Sequence, residues 1–498
     1  MAKRPAANPS ETVLDVDVCA IGAGSGGLSI THFATAIGLS CVLIERGAMG
    51  GDCLNGGCVP SKALLAAAHA AAAARRAHEF GVDAAVRRIS SRGVYRHVGA
   101  TVASIAPNDS QERYEGFGAT VIREEARFVG PREIVAGPYR VRARWIFVAT
   151  GARAAIPSIQ GIDTVPYLTN ETIFSLKTLP RHLAIIGAGP LGVEMAQAHR
   201  RLGAKVTLLE QAKMLPGEDP ELVDHLRRRL VAEGVDIVEG ASVERVSAAR
   251  SGIDVAFSAK GKRLVVRGSH LLVAAGRKPE IESLCLDAAG IQRIDRGIVV
   301  DKHLRTTNPR VFAVGDVIGS TQLSHLAVHH AVVAFANAVH RAGKEVAIGT
   351  VPRVLYTEPE LAQVGLRESE ARELHGDIQV LPWHYDHNDR AAAERTPWGM
   401  IKVMVNRRGL VLGAGIVGPH AGEVVQKWAL AISAGLDIQA VATMIAPYPT
   451  IGYSDRKLAE SFAGPALLAK YRKRYAAAKT NTGVSRKRRA RGDDNANC

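Results

Sequence analysis

The chain is 498 residues long, 47% apolar and 22% charged, with 49 glycines and only 5% aromatics. This is a globular composition, and it excludes disordered, collagen-like and membrane-embedded classes. Sixty-three Lys+Arg against 48 Asp+Glu give a net charge of +15, which admits an anionic ligand or partner, and six cysteines in this length exclude a disulfide scaffold while leaving room for a catalytic pair.

At roughly 150 residues per domain the length suggests about three domains. Residues 1–12 are polar and are expected to be disordered. They show no apolar segment followed by a small-residue cleavage site, and no 18-residue apolar run occurs in the chain. The alanine-rich stretch Ala63–Ala74 is too short to span a bilayer and is followed by Arg75 and Arg76, so no membrane association and a cytoplasmic location are expected.

Val13–Ala20 alternates and then turns apolar, as a buried parallel strand does. The glycine turn Gly22-Ala-Gly24-Ser-Gly-Gly27 follows, then a helix to about Ile37, then a second strand Ser40–Ile44. The arrangement recurs as strand His182–Ile186, turn Gly187-Ala-Gly189-Pro-Leu-Gly192, helix Val193–Leu202 and strand Lys205–Leu209. In each turn the first glycine permits the tight bend, the second lets backbone approach a pyrophosphate, and the third allows close helix–strand packing. The helix amino terminus then offers bare N–H groups and a positive dipole end to the phosphates. Glu45 and Glu210 close the second strand of each unit, where an acid accepts a ribose hydroxyl. Two such units in strand–turn–helix context imply two dinucleotide-binding modules in an α/β fold of doubly wound sheets. Glu210 would repel a 2′-phosphate, so NAD(H) is expected over NADP(H).

After the first unit comes Gly50-Gly51-Asp52-Cys53-Leu-Asn-Gly-Gly-Cys58-Val-Pro60-Ser-Lys62. Four residues separate the cysteines, two of them glycines, so the loop can bend to close a short disulfide. Pro60 suits the first turn of a helix. A thiolate at a helix amino terminus has a lowered pKa, and Lys62, four residues past Cys58, lies on the same helical face. No second Cys or His pair stands nearby, so no metal site is expected. The expected reading is a redox-active dithiol beside a nucleotide cofactor, ahead of an inert structural pair.

Gly51-Asp-Cys53-Leu-Asn-Gly-Gly-Cys58-Val-Pro-Ser-Lys62 resembles the active-site signature of the class I pyridine nucleotide-disulfide oxidoreductases. Val148-Ala-Thr150-Gly151, Ala275-Gly276-Arg277-Lys-Pro279 and Val314-Gly-Asp316 extend the resemblance over about residues 13–463. It implies FAD at the first turn and NAD(P)H at the second. It also implies a two-part FAD domain (13–155 and 277–348), an NAD(P) domain (156–276), a C-terminal α+β dimerisation domain (349–465) and a homodimer. Residues 466–498 would be a basic tail. Electrons would pass from the nicotinamide to the flavin and on to the Cys53–Cys58 disulfide. Cys58 would be the charge-transfer thiol and Cys53 the interchange thiol. Lys62 and Glu194 would form an ion pair near the flavin, and Asp316 would bind its ribityl chain.

One segment departs from the family pattern. Family members acting on lipoamide or glutathione carry a His-Pro-Thr with a glutamate five residues after the histidine, an acid/base dyad supplied by the partner subunit. Here Ala446-Pro-Tyr448-Pro-Thr450-Ile-Gly-Tyr453 has tyrosine at both positions. A phenol of ordinary pKa, about 10, is a poor base at neutral pH. The segment is more similar to the mercuric reductase-like branch than to the dihydrolipoamide dehydrogenase-like branch, so the expected substrate is a small disulfide or a soft metal ion. The sequence ends in the single Cys498 rather than a vicinal pair. His325, His329, His330, His384 and His387 are read as packing or capping residues, and Cys19 and Cys41 as core residues.

Ten basic and two acidic residues fall in 466–498, so +8 of the +15 lies there. This stretch is read as a solvated, disordered tail. Only Tyr471 and Tyr475 interleave its charges and no nucleic-acid fold motif appears, so nucleic acid is not an expected partner. A flavoprotein that binds an anionic partner through this tail is the alternative of another class.

Overall fold

In a computed structural model, residues 12–492 are described, and they divide into two compact units. The first comprises the chain to Gly217, Arg227–Ile348 and Leu355–Thr357. The second comprises Glu218–Leu226, Gly349–Val354 and the chain from Glu358 onward.

The first unit opens with strand β1 (Thr12–Ile21), helix α1 (Ser25–Ala36), strand β2 (Cys41–Ile44), the short helix α2 (Gly51–Asn55) and helix α3 (Cys58–Arg76). Strands β3 (Thr120–Ile122), β4 (Ala126–Gly130), β5 (Glu133–Ala136) and β6 (Tyr139–Val148) complete a seven-stranded sheet of order β3-β2-β1-β6-β5-β4, with Val311–Ala313 added beside β6. Thr12 already belongs to the sheet: its N–H donates to the Pro138 carbonyl at 2.9 Å and it pairs with Tyr139. The expected disordered amino terminus therefore stops short of residue 12, and residues 1–11 lie outside the described residues.

β1, β2, β6 and Val311–Ala313 run parallel, with Ile21 opposite Ile44 and Val148, and Val148 opposite Ala313. Four carboxyl ends therefore lie side by side, and the loops that follow them meet at one edge. This is why segments from 22, 45, 149 and 314 share a site. The strands are buried on both faces, which explains their unbroken apolar runs: Val18–Ile21 are 0–3% exposed. Cys19 and Cys41 are buried there as small core residues. Phe147 stacks with Phe312 at 5.6 Å and with Phe335 at 6.2 Å.

A four-stranded parallel sheet repeats the plan with His182–Ile186 flanked by Lys205–Glu210 and His270–Val273, and Val235–Glu239 at its edge. Ile186 pairs with Leu209 and Val273. A three-stranded meander, Ser242–Gly268, follows in the chain, and Ala152–Ala154 pairs antiparallel with Arg277–Pro279.

The second unit is built on a five-stranded sheet of Arg353–Leu355, Glu360–Gly365, Val411–Gly418, Met400–Asn406 and Ile378–His384, in that order. Trp428, fully buried on the Ala421–Ser433 helix, donates its indole N–H to Asp455 at 2.9 Å, and Lys427 pairs with the other oxygen at 2.5 Å. Glu218–Leu226 lies in sequence within the second nucleotide module but packs here. Lys402, nearly buried, bridges Asp219, Glu221 and Glu368 at 3.1, 2.9 and 2.6 Å.

The backbone of Tyr453–Gly492 is one helix. For residues 466–492 it corrects the expectation of a disordered tail; residues 493–498 lie outside the described residues. A helix anchored by its first turns, where Ser454, Asp455, Leu458 and Ala459 are buried, runs on through Ala, Lys and Arg, which are good helix formers. Cys498 lies outside the described residues. Among the described residues no helix is long and apolar enough to cross a membrane.

Candidate active site

The two glycine turns are built alike. Gly22 and Gly187 bend at φ +102° and +105°, a conformation open to glycine. A Cβ on Gly22 would lie 2.4 Å from the Ala149 carbonyl oxygen, and one on Gly187 would lie 2.3 Å from that of Ala274. The third glycines, Gly27 and Gly192, sit so close to the turn that a Cβ would stand 1.8 and 2.0 Å from the Gly22 and Gly187 oxygens. The second glycines differ: nothing lies within 4 Å of a Cβ at Gly189, and only Gly51 Cα, at 3.9 Å, at Gly24. No protein atom forces glycine there. What glycine preserves is open space before an uncapped helix amino terminus, the space a pyrophosphate needs. The acids are in register with the turns. Glu45 accepts from the N–H groups of Ala23 and Gly47, both at 2.6 Å, and Glu210 accepts from Ala188 at 2.7 Å and Ala212 at 2.9 Å. A carboxylate so held still has lone pairs for ribose hydroxyls. These features fit a dinucleotide at each turn.

The cysteine loop is docked on the first turn. Gly50 N–H donates to the Ala23 carbonyl at 3.0 Å. Gly51 has φ +57° and lies so close that a Cβ would stand 2.6 Å from Gly24 Cα. Asp52 clamps the loop: Asn170 Nδ2 donates to Oδ1 and Arg277 Nη1 to Oδ2, each at 2.8 Å. Arg277 also reaches Asp316 at 3.5 Å. Burial raises the Asp316 carboxyl, against the lowering effect of Arg277. Thr150 donates its hydroxyl to the Glu280 carbonyl at 2.7 Å, and Gly151 accepts from Glu280 N–H at 3.0 Å, which ties the loop after β6 to the Arg277 strand. Gly276 bends at φ +120° with open space before it.

Cys53 ends up on α2 and Cys58 at the start of α3, and both are free thiols. Each thiol shifts the other's proton affinity. Cys58 is brought down to about 6, chiefly by the bond from Cys53 and further by Ser324 and the Lys62 charge, against burial. Cys53 is pushed up for the complementary reason, with burial adding. Ser324 Oγ, at the start of the Ser324–His340 helix, lies 3.2 Å from Cys58 Sγ. Lys62 Nζ bonds both oxygens of the buried Glu194 at 3.1 and 3.0 Å and stands 4.2 Å over the Tyr356 ring. Tyr356 N–H also donates to Glu194 at 3.0 Å. The expected Lys62–Glu194 ion pair is thus present, and Glu194 is a buried counter-charge.

This pair of thiols predicts a pH dependence. Thiolate, the reactive form, forms as pH rises through the lowered pKa. Alkylation of Cys58 by iodoacetamide in the dithiol protein is therefore expected to be fast at neutral pH and to fall as pH drops through about 6. Ser324→Ala is expected to move that midpoint upward. Mass-mapped alkylation rates between pH 4.5 and 8.5 measure both effects, and a midpoint near the ordinary cysteine value would refute the assignment.

Tyr448 and Tyr453 lie in the second unit with rings 5.3 Å apart, edge to face. Tyr448 is 64% exposed and donates its hydroxyl to Asp389, which pushes the phenol above its ordinary pKa. Neighbouring Asn388 ties its own loop to this segment, donating to the Thr450 carbonyl at 3.1 Å and to Ser454 at 2.8 Å. Of the histidines, His330 is buried, is held down to about 4 by burial, and accepts from Gly315 N–H at 3.2 Å, a packing role. Asn170 and Tyr356 carry no local signal in the sequence, and Ser324 and Asp389 gain their roles only from contacts far away in the chain. Arg277 and Asp52 stood within recognised segments, but nothing local pairs them.

Residues 16–338 match the family model of the pyridine nucleotide-disulphide oxidoreductases, and residues 351–456 match the dimerisation domain of that family. Mercuric reductase of Bacillus cereus is 33% identical over 440 residues, covering 88% of this chain and 70% of that protein. Dihydrolipoyl dehydrogenase of Bacillus subtilis is 31% identical over 460 residues, covering 91% and 97%. Among solved structures, the Cu(II) complex of the HOCl-induced flavoprotein disulfide reductase RclA from Escherichia coli superposes with TM-score 0.80 at 28% identity, over 90% of this chain and 99% of that one. With two dinucleotide turns, a dithiol loop seated on the first of them and a dimerisation domain following in the chain, the chain belongs to the class I pyridine nucleotide-disulfide oxidoreductases, flavoproteins that use FAD with NAD(P)H.

Proposed function

We propose that the chain is a cytoplasmic, homodimeric reductase that passes two electrons from NADH through Cys53 and Cys58 to a soft metal ion or a small disulfide. The reading is carried by one observation: the free thiols Cys53 and Cys58 lie on a loop whose Gly50 and Gly51 are docked directly on the first glycine turn. Gly22, Gly24, Gly27, Glu45, Gly51, Thr150, Gly151 and Asp316 would hold FAD, and Gly187, Gly189, Gly192, Glu210 and Gly276 the nicotinamide nucleotide. FAD, when bound, supplies the two-electron connection between nicotinamide and dithiol.

The residues divide the remaining work. Lys62, fixed by Glu194 and Tyr356, keeps a positive charge beside Cys58 and favours its thiolate. In the reduced pair Cys53 holds its proton and, on losing it, is the sulfur that would attack a disulfide substrate; one substrate thiolate leaves, and Cys58 then attacks Cys53 to re-form the protein disulfide and release the second thiolate. Asp52, Asn170 and Arg277 hold the loop so that both sulfurs keep their places.

The tyrosines favour mercuric reductase-like over dihydrolipoyl dehydrogenase-like chemistry. Tyr448, bonded to Asp389 and raised above its ordinary pKa, keeps its proton at neutral pH and is no general base for a dithiol substrate. Anaerobic reduction with NADH, followed by parallel mixing with Hg(II)–thiol, lipoamide, glutathione disulfide and quinone, tests the choice. Fast reoxidation by Hg(II)–thiol and slow reoxidation by lipoamide is the expected result, and rapid reoxidation by lipoamide overturns it.

Glu210 favours NADH, because a 2′-phosphate beside a carboxylate fixed by two N–H groups meets like charge. Steady-state kinetics are expected to give a lower KM for NADH than for NADPH. The reverse order would refute this assignment.

A further inference from the structure

The geometry points to a second anion site in the first unit, an arginine-lined cleft that binds an oligophosphate remote from the thiol pair. A cavity of about 580 Å³ lies among β6, the loop 303–310 and the end of the Ser324–His340 helix. Arg305, Arg310 and Arg341 line it together with His303, and no aspartate or glutamate does. None of the three guanidiniums has an ion-pair partner among the described residues. Elsewhere in the same unit arginines are matched, as Arg142 is by Glu133 at 2.7 Å and Arg267 by Asp254 at 2.6 Å. Three unmatched like charges around one concavity focus a positive potential into it.

The walls are already formed. Asn337, 4% exposed, donates to the carbonyls of His303 at 3.2 Å and Lys344 at 2.8 Å, and its Oδ1 accepts from Lys344 N–H at 2.8 Å. His303 Nδ1 bonds the Lys344 carbonyl at 2.9 Å. This lattice fixes the loop that carries Arg305 against the turn that follows Arg341. The backbone that carries two of the arginines is therefore held in place before a ligand arrives.

The chemistry of the lining selects the ligand class. Forked guanidinium donors match the oxygens of phosphate, and three of them suit a ligand with several anionic groups. The aromatic floor offers no stacking face: Trp145 is 7% and Phe312 1% exposed, and the Arg144 guanidinium covers the indole at 4.1 Å. Recognition therefore falls on the phosphates and not on a base. The volume is in the range of small-molecule sites. The place is separate from the redox pair. One helix runs from Ser324, at Cys58, to His340, just before Arg341 in the cleft, and its 17 residues span about 25 Å.

Titration calorimetry of the FAD-loaded full chain with sodium tripolyphosphate, under saturating NAD⁺ to fill the second glycine turn, is expected to show one site per chain. The variant Arg305→Gln/Arg310→Gln/Arg341→Gln is expected to bind tenfold more weakly or worse, with the rate of NADH oxidation and the KM for NADH unchanged. ATP is expected to bind no more tightly than tripolyphosphate. Undiminished tripolyphosphate binding in the triple variant overturns the proposal, and so does an ATP affinity ten times that of tripolyphosphate. Should the triple variant fail to fold, Arg341→Gln alone, at an exposed helix end, decides: a threefold or greater loss supports the site, and unchanged binding overturns it.

Discussion

Replacement of Cys58 by serine is expected to lower NADH-driven reduction of the physiological acceptor by on the order of a thousandfold or more, the scale on which enzymes suffer when a reacting nucleophile is removed. The fold should tolerate the change, because Cys58 is exposed on the first turn of α3 and packs in no core. The loss would come from chemistry. A serine hydroxyl cannot form a disulfide with Cys53, and it holds its proton at any pH of interest, whereas Cys58 is a thiolate above about 6. Two readouts separate this from general damage. Bound flavin per chain should stay at the wild-type level, and the long-wavelength charge-transfer absorbance of the NADH-reduced holoprotein should vanish. An unchanged band in the serine variant would move the assignment to Cys53.

Gly27→Ala is expected to have the second large effect, through the fold of the cofactor site. Its new methyl would stand 1.8 Å from the Gly22 carbonyl oxygen and 3.5 Å from Ala149 Cβ. Neither neighbour is the end of a flexible side chain, so α1 must move away from the turn, with a stability cost of about 1–3 kcal/mol as for other overpacked sites. The same movement withdraws the helix amino terminus from the position a pyrophosphate would occupy. Flavin retained after gel filtration should fall tenfold or more. Gly99→Ala is the matched control: it lies within the Ser91–Ile105 helix, and nothing lies within 4 Å of its new methyl. There alanine is expected to leave flavin content untouched and to gain up to about 1 kcal/mol. Equal flavin loss in both variants would show that the close approach of Gly27 to Gly22 is not what holds the site.

Both effects rest on residues that were legible in the chain itself, for a definite reason. A glycine turn between an apolar strand and a helix, and two cysteines with a lysine one helical turn later, are local patterns. Their meaning depends on neighbours within some 20 residues, and backbone geometry carries it. The two strand–turn–helix units, their acids Glu45 and Glu210, and the cysteine loop were therefore readable without coordinates, as was the α/β class. The ends of elements moved by a residue or two, as with Thr12–Ile21 for the expected Val13–Ala20, because capping and fraying are decided by contacts outside the element. In the tail, low hydrophobicity and dense charge signal disorder, while the Ala, Lys and Arg content equally supports continuation of a helix already begun, and the helix is what forms through Gly492.

Tertiary structure alone decided the rest. Ser324 reaches Cys58 across 266 positions, Arg277 reaches Asp52 across 225, and Asn170 reaches Asp52 across 118. No periodicity or spacing encodes such pairs. They arise because parallel strands place their carboxyl ends at one edge, so that loops distant in sequence must meet there. The same holds for the segment Glu218–Leu226, which departs from the module that contains it in sequence to neutralise the buried Lys402. It holds equally for Arg305, Arg310 and Arg341, which are ordinary surface arginines in the chain and become a charged concavity only when a helix end and a strand-flanking loop are brought together. The sequence by itself determined which chemistry the protein carries, because that chemistry is written in short motifs. Folding determined the proton affinities, the counter-charges and the surfaces, because those depend on the environment into which each side chain is folded.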